Sequence, residues 1–136
     1  MTSPAQKQDL PAVQVDKKKI LVIDDEKDFG KMIKLCLEKY GLYSVDTSFA
    51  AEEGIKKIAQ SRYDLIILDV LMPKMEGHEA LKRIKAISRT PVVILSAYLS
   101  PLLEKEIVRY GAFACLKKPV ELDEVVLVLH KALSAG

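Results

Sequence analysis

The feature that most constrains this chain is a rhythm: five short apolar runs alternate with five stretches whose apolar residues recur at helical spacing. The runs are KKILVIDD, YSVDT, DLIILDV, PVVILSA and AFACLK. A short, nearly continuous apolar run bounded by charge is what a strand buried on both faces requires, as in a parallel sheet. After the first run, Phe29, Met32, Ile33, Cys36, Leu37 and Tyr40 mark one helical face, and Gly41 follows as a stop. Ala51, Gly54, Ile55, Ile58 and Ala59 mark a second helix, with Ser48 nearby as a cap. Gly77, Ala80, Leu81, Ile84 and Ile87 mark a third. Ser100 and Pro101 are an N-cap and first helical residue for a fourth, which ends at Tyr110–Gly111. Leu122, Val125, Val126, Leu129 and Leu133 form the stripe of a fifth. Strict strand–helix alternation predicts an α/β sandwich with one parallel sheet and right-handed crossovers.

Composition narrows the function classes. A chain of 136 residues, 49% hydrophobic, holds one domain with a real core. Its 21 basic and 19 acidic side chains leave a formal charge of +2, without the basic excess of a protein that grips nucleic acid through one large face. No apolar run reaches the roughly 20 residues of a membrane span. The opening MTSPAQKQDLPAVQVD lacks a signal-peptide core. These observations predict a cytoplasmic protein with no membrane insertion and no direct nucleic-acid contact. Residues 1–16 read as a flexible N-terminal leader and residues 17–136 as the folded domain. Lys17 to Lys19 read as a solvated run before the first strand. Cys36 and Cys115 stand outside any CxxC or metal-ligand spacing and read as buried apolar fillers.

The polar residues with chemical potential share one location. Asp24 and Asp25 end the first predicted strand, Asp69 the third and Ser96 the fourth, while Lys118 follows the fifth. Open parallel sheets bind ligands outside the carboxyl ends of their strands, where strand order reverses. With an order of 2-1-3-4-5, the first and third strands are neighbours there, and three carboxylates converge beside a hydroxyl and an ammonium. Two like charges ~4 Å apart repel by about 4 kcal/mol at an effective dielectric near 20. One carboxyl must therefore keep its proton, or a cation must sit among them. A hard, partly open oxygen cluster suits Mg²⁺, which retains several waters.

The segments VIDDE, LDVLMPKMEG, VVILSAY and LKKPV, in this order and spacing, resemble the receiver domain of two-component response regulators. The likeness runs from about Lys18 to Leu133. It implies a flavodoxin-like three-layer sandwich with a five-stranded parallel sheet in the order 2-1-3-4-5 and five helices. It implies Asp69 as phospho-acceptor, with Ser96 and Lys118 contacting phosphoryl oxygens. Asp25 and Asp69 would ligate Mg²⁺ directly, Asp24 mainly through water, and the backbone carbonyl of Leu71 would add a ligand. Pro119 takes the position of a proline that follows a cis bond in the family. The implied partners are a sensor histidine kinase or His-phosphotransfer protein, and a downstream effector or fused output domain. A homodimer through the face of the fourth helix, fifth strand and fifth helix is also implied. The protein would then be a phosphorylation-dependent switch that catalyses its own phosphoryl transfer and autodephosphorylation, rather than an enzyme acting on other substrates.

The sequence departs from that pattern at one position. Three residues before the site lysine the family carries an aromatic residue, and here stands Cys115, with Phe113 on the same strand face. The usual aromatic swing is not expected to operate unmodified, and Cys115 reads as packing rather than as a redox sensor. Leu71 and Tyr98, two residues beyond Asp69 and Ser96, are bulky and predict slow access of water to an acyl phosphate. His78 reads as solvent-facing at the site's rim and His130 as a helix-end residue, with no zinc-ligand partner for either. Leu127 and Val128 lie off the fifth helix's core stripe, either as a partner surface or as wider burial. Two other functions compete. A pseudo-receiver or scaffold works without phosphorylation, but its usual signature is loss of the acceptor, an acid or the lysine, and all are present. An aspartyl phosphatase or flavin carrier shares the layout, but the first strand ends DDE rather than DxD, and no Gly-rich phosphate loop follows.

Overall fold

The computed structural model describes residues 16–72, 75 and 77–135. Residues 1–15 of the expected 1–16 leader, Pro73, Lys74 and Glu76 of the third motif, and Gly136 at the end of the expected domain lie outside the described residues. The strands are β1 (Lys18–Ile23), β2 (Tyr43–Ser48), β3 (Leu65–Leu68), β4 (Val92–Ser96) and β5 (Ala114–Lys117). The helices are α1 (Lys27–Glu38), α2 (Ala51–Gln60), α3 (Gly77–Ile87), α4 (Pro101–Arg109) and α5 (Leu122–Ser134). All strand pairs are parallel, in the order β2-β1-β3-β4-β5.

Side-chain alternation along the strands divides the interior into two layers. Leu21, Ile23, Ile66, Leu68, Val92 and Ile94 face α2, α3 and α4, where Ala51, Ala80, Leu81, Ile84 and Ile107 are buried against them. Ile20, Val22, Leu65, Ile67, Val93 and Leu95 face the other way, onto Ile33 and Leu37 of α1 and Val125, Leu129 and Ala132 of α5. Burying each Leu or Ile of this set contributes about 1.5–3 kcal/mol relative to exposure. β1, β3 and β4 are covered on both faces, which is why their sequences are continuous apolar runs rather than alternating ones.

Local signals held unevenly. The Ser100 hydroxyl accepts from the Leu103 N–H at 3.1 Å with Pro101 inside the first turn, so α4 is capped as its sequence predicts. Ser48 is not the cap of α2. It is the last residue of β2, paired with Ile23, and its hydroxyl donates to the Ala50 carbonyl. The N-cap of α2 is Ala50, whose methyl group can accept no capping hydrogen bond. Lys18 and Lys19 lie within β1 rather than before it, though both are exposed. Cys36 and Cys115 are only half-buried. Among the described residues, no helix is long and apolar enough to cross a membrane.

Candidate phosphoryl and metal site

Backbone hydrogen bonds that run past the strand ends set the site. The Asp24 N–H donates to the Ser48 carbonyl and the Asp69 N–H to the Ile23 carbonyl, each at 3.0 Å. The Lys118 N–H donates to the Ser96 carbonyl at 2.8 Å. The ladder is thus extended by one residue at β1, β3 and β5, and it brings Asp24, Asp69, Ser96 and Lys118 to one end of the sheet. The cis Lys118–Pro119 bond stands where the family likeness places it.

Every predicted acid, the hydroxyl and the lysine converge. Carboxylate oxygens of Asp24, Asp25 and Asp69 lie within 4.8 Å of one another, with Asp25 toward solvent and the other two buried. The Ser96 hydroxyl, itself fully buried, donates to Asp69 Oδ1 at 3.0 Å. The Leu71 N–H donates to the same oxygen at 2.8 Å. Lys118 Nζ donates to Asp24 Oδ2 at 2.6 Å and stands 3.5 Å from Asp69 Oδ2. The Glu26 N–H holds the other Asp24 oxygen at 2.9 Å. Among the described residues, no buried side-chain nitrogen or oxygen lacks a partner.

Two side chains at this site escaped the sequence reading. Glu26 Oε1 accepts from Lys118 Nζ at 3.0 Å, and the Phe29 ring lies 4.0 Å from the same ammonium. Both sit at the start of α1, about ninety positions from Lys118 in the chain, so only the folded sheet order brings them together. The glutamate was visible as the third letter of DDE, but spacing alone carried no sign of which cation it meets.

The charges show an acidic excess. Burial raises the Asp24 carboxyl above its ordinary value, and Asp69's charge adds to this, against the opposing pull of Lys118 and the Glu26 N–H. Burial alone would lower the Lys118 ammonium, but its bonds to Asp24 and Glu26 and the charge of Asp69 raise it overall. One shared ammonium therefore stays charged without fully offsetting the acids around it. The three clustered carboxylates are all hard oxygen donors, open on the Asp25 side, and so fit Mg²⁺.

The surrounding residues are placed as follows. Leu71 and Tyr98 stand at the rim with much of their surface in solvent. Cys115 packs against the core on the α2–α3–α4 side. Burial, with Glu104 adding to it, pushes its thiol up to about 11, the opposite of what a thiolate sensor needs. His78 is half-buried rather than solvent-facing. It stacks on Tyr110 at 5.3 Å, and its Nδ1 lies 3.8 Å from a Glu106 oxygen. His130 is exposed on α5. Leu127 is exposed, whereas Val128 packs against the core, so only one of the two residues outside the α5 stripe is free.

A family model for the response regulator receiver domain matches residues 20–130. The response regulator ArlR of Staphylococcus haemolyticus is 32% identical over 114 residues, which span 84% of this chain and 52% of that protein. A CheY-like receiver domain protein from Methanospirillum hungatei has a similar structure, with a TM-score of 0.84 at 27% identity over 88% of this chain and 96% of that one. The receiver domain of Francisella response regulator 1452 gives 0.79 at 32% identity, over 88% and 98% respectively. The chain belongs to the response regulator receiver domains of two-component systems, a family whose general mode is a phosphorylation switch. It spans about half the length of the curated relatives it matches.

Proposed function

We propose that Asp69 accepts a phosphoryl group from a phosphohistidine on a sensor histidine kinase or His-phosphotransfer protein. The observation that carries this reading is the setting of Asp69. It is a buried carboxylate with one oxygen fixed by Ser96 and Leu71, the other facing Lys118, and two further acids beside it. A carboxylate so placed is a competent nucleophile, and phosphoryl transfer requires positioning and charge neutralisation above all.

In the step, an Asp69 oxygen forms a new bond to phosphorus as the donor's P–N bond breaks. The imidazole, protonated on its other nitrogen, leaves neutral with the electron pair. Lys118 turns its ammonium to one phosphoryl oxygen, and the Ser96 hydroxyl redirects its hydrogen bond from Asp69 to another. Asp25, Asp69 and the Leu71 carbonyl would hold Mg²⁺ directly and Asp24 through water, and the ion supplies neutralisation of phosphoryl charge when bound. Water later attacks the acyl phosphate, regenerating the carboxylate and releasing phosphate. The Lys118 backbone is anchored by its N–H bond to the Ser96 carbonyl, with Pro119 following it.

The folded unit we assign covers residues 17–136, with residues 1–16 as a leader. The downstream partner is an effector protein or a fused output domain. It, or a second copy, would meet the face of α4, β5 and α5, where Val108 and Phe113 are exposed, whereas Leu127 borders Tyr40 and Leu42 on the other side of α5. Redirecting Ser96 and Lys118 toward the phosphoryl group would change the preferred partner of that face. Incubation with acetyl phosphate and Mg²⁺ followed by intact mass measurement tests the reading. The expected result is the gain of one phosphoryl group. No gain, or an undiminished gain in Asp69→Asn, overturns it.

A further inference from the structure

Lys118 has more acidic partners than the proposed transfer needs. Its side chain is 8% exposed and is held at 2.6 Å by Asp24, which is 3% exposed, while Asp69 lies farther away at 3.5 Å. The third partner, Glu26 at 3.0 Å, differs from these two because its side chain is 61% exposed. It is the N-cap residue of α1 but makes no capping bond with its side chain, so among the described residues its carboxylate bonds to Lys118 alone. The Phe29 ring, 4.0 Å from the ammonium, limits where that ammonium can move.

We infer that Glu26 is a positioning residue that competes with the incoming phosphoryl group for Lys118, and so sets how readily Asp69 is phosphorylated. This rests on Asp69 being the acceptor. A dianionic donor approaching Asp69 needs the ammonium at its own oxygens, so the bond from Lys118 to Glu26 must open first. Glu26 suits this role because its carboxylate can swing into water and be solvated, which the buried Asp24 carboxylate cannot do. Its negative charge at the mouth of an acidic site also repels the donor, and salt weakens such repulsion. In the transfer from acetyl phosphate, the bond between phosphorus and the acetyl oxygen breaks as the bond to Asp69 forms. Acetate carries off the electron pair.

The test compares wild type, Glu26→Gln and Glu26→Ala in two measurements. The first is the rate of phosphoryl gain from acetyl phosphate with Mg²⁺, read by intact mass at low and high salt, with Asp69→Asn as control. Both Glu26 variants should gain the group several-fold faster at low salt, with the difference shrinking at high salt. The second is competitive acetylation of lysines by acetic anhydride, read by peptide mass without any phosphoryl donor. Lys118 should become several-fold more reactive in both variants, relative to Lys19 in the same molecule, a change that loss of helix start alone would not produce. Unchanged Lys118 reactivity, or phosphorylation no faster than wild type, overturns the role of Glu26. Wild-type protein that gains no Asp69-dependent mass overturns the acceptor reading itself, and the competition with it.

Discussion

Gly54 is where the packing that seats the site can be tested most sharply. It lies in α2, which rests on β1. A Cβ at this position would stand 2.5 Å from Ile23 Cδ1, 2.7 Å from its Cγ1 and 3.3 Å from its Cγ2. Ile23 is fully buried and is the residue just before Asp24, so it has no free volume to retreat into. Overpacking costs about 1–3 kcal/mol, and two contacts under 3.0 Å against a fully buried side chain put this site in the upper part, about 2–3 kcal/mol. Replacing a helical glycine by alanine returns roughly 1 kcal/mol of helix propensity. Gly54→Ala should therefore be destabilised by about 1–2 kcal/mol, a fall in Tm of roughly 3–8 °C for a domain of this size. Ile23→Ala alone leaves a cavity and should cost about 2–5 kcal/mol. In the double variant the new methyl group occupies space that Ile23 has vacated, so the combined loss should fall short of the sum by about 1 kcal/mol or more. Urea unfolding of the four proteins gives the cycle directly. A neutral or stabilised Gly54→Ala, or losses that simply add, would refute the close α2–β1 approach.

Other outcomes follow from the site. Mg²⁺ at ten times its Kd should stabilise the fold by about 1.4 kcal/mol, raising Tm by a few degrees, and Asp25→Asn should lose most of that gain by thermal melt. The Cys115 thiol, raised from its ordinary 9.0 to about 11, should be alkylated at pH 7.5 about a hundredfold more slowly than a free thiol, accelerating as pH rises toward 11. Its stability contribution has the matching sign. It is fully present below the unfolded thiol's value and is lost as pH rises through about 11, because the unfolded chain ionises first. Leu71→Asn should release phosphate from the phosphorylated protein several-fold faster than wild type, by timed intact mass measurement. An equal or slower release would remove Leu71 as a barrier to water.

Much of this architecture was legible because burial leaves a plain mark on sequence. KKILVIDD, DLIILDV and PVVILSA are apolar until the position where the chain leaves the sheet, so the same pattern that announces a strand also marks its chemical end. Asp24, Asp69 and Ser96 could be placed for that reason. Ser48 misled because a hydroxyl ahead of a helical stripe reads as a cap, while pairing with Ile23 keeps it inside β2. Glu26 and Phe29 were illegible as site residues because their partner, Lys118, lies just past β5, a strand three places across the sheet from β1. The stacking of His78 on Tyr110 joins α3 to α4, and helical spacing says nothing of which neighbouring helix a residue meets. The close approach at Gly54 depends on the rotation of α2 over β1, which a glycine in an amphipathic pattern does not reveal.

The central claim is that one carboxylate, Asp69, is the atom group on which phosphate is carried. Borohydride reduces an acyl phosphate to an alcohol and so converts a phosphorylated aspartate to homoserine. Protein treated with acetyl phosphate and Mg²⁺, reduced, digested and sequenced by tandem mass spectrometry should carry homoserine at position 69 alone. Homoserine at Asp24 or Asp25, or at none of the three, would contradict it.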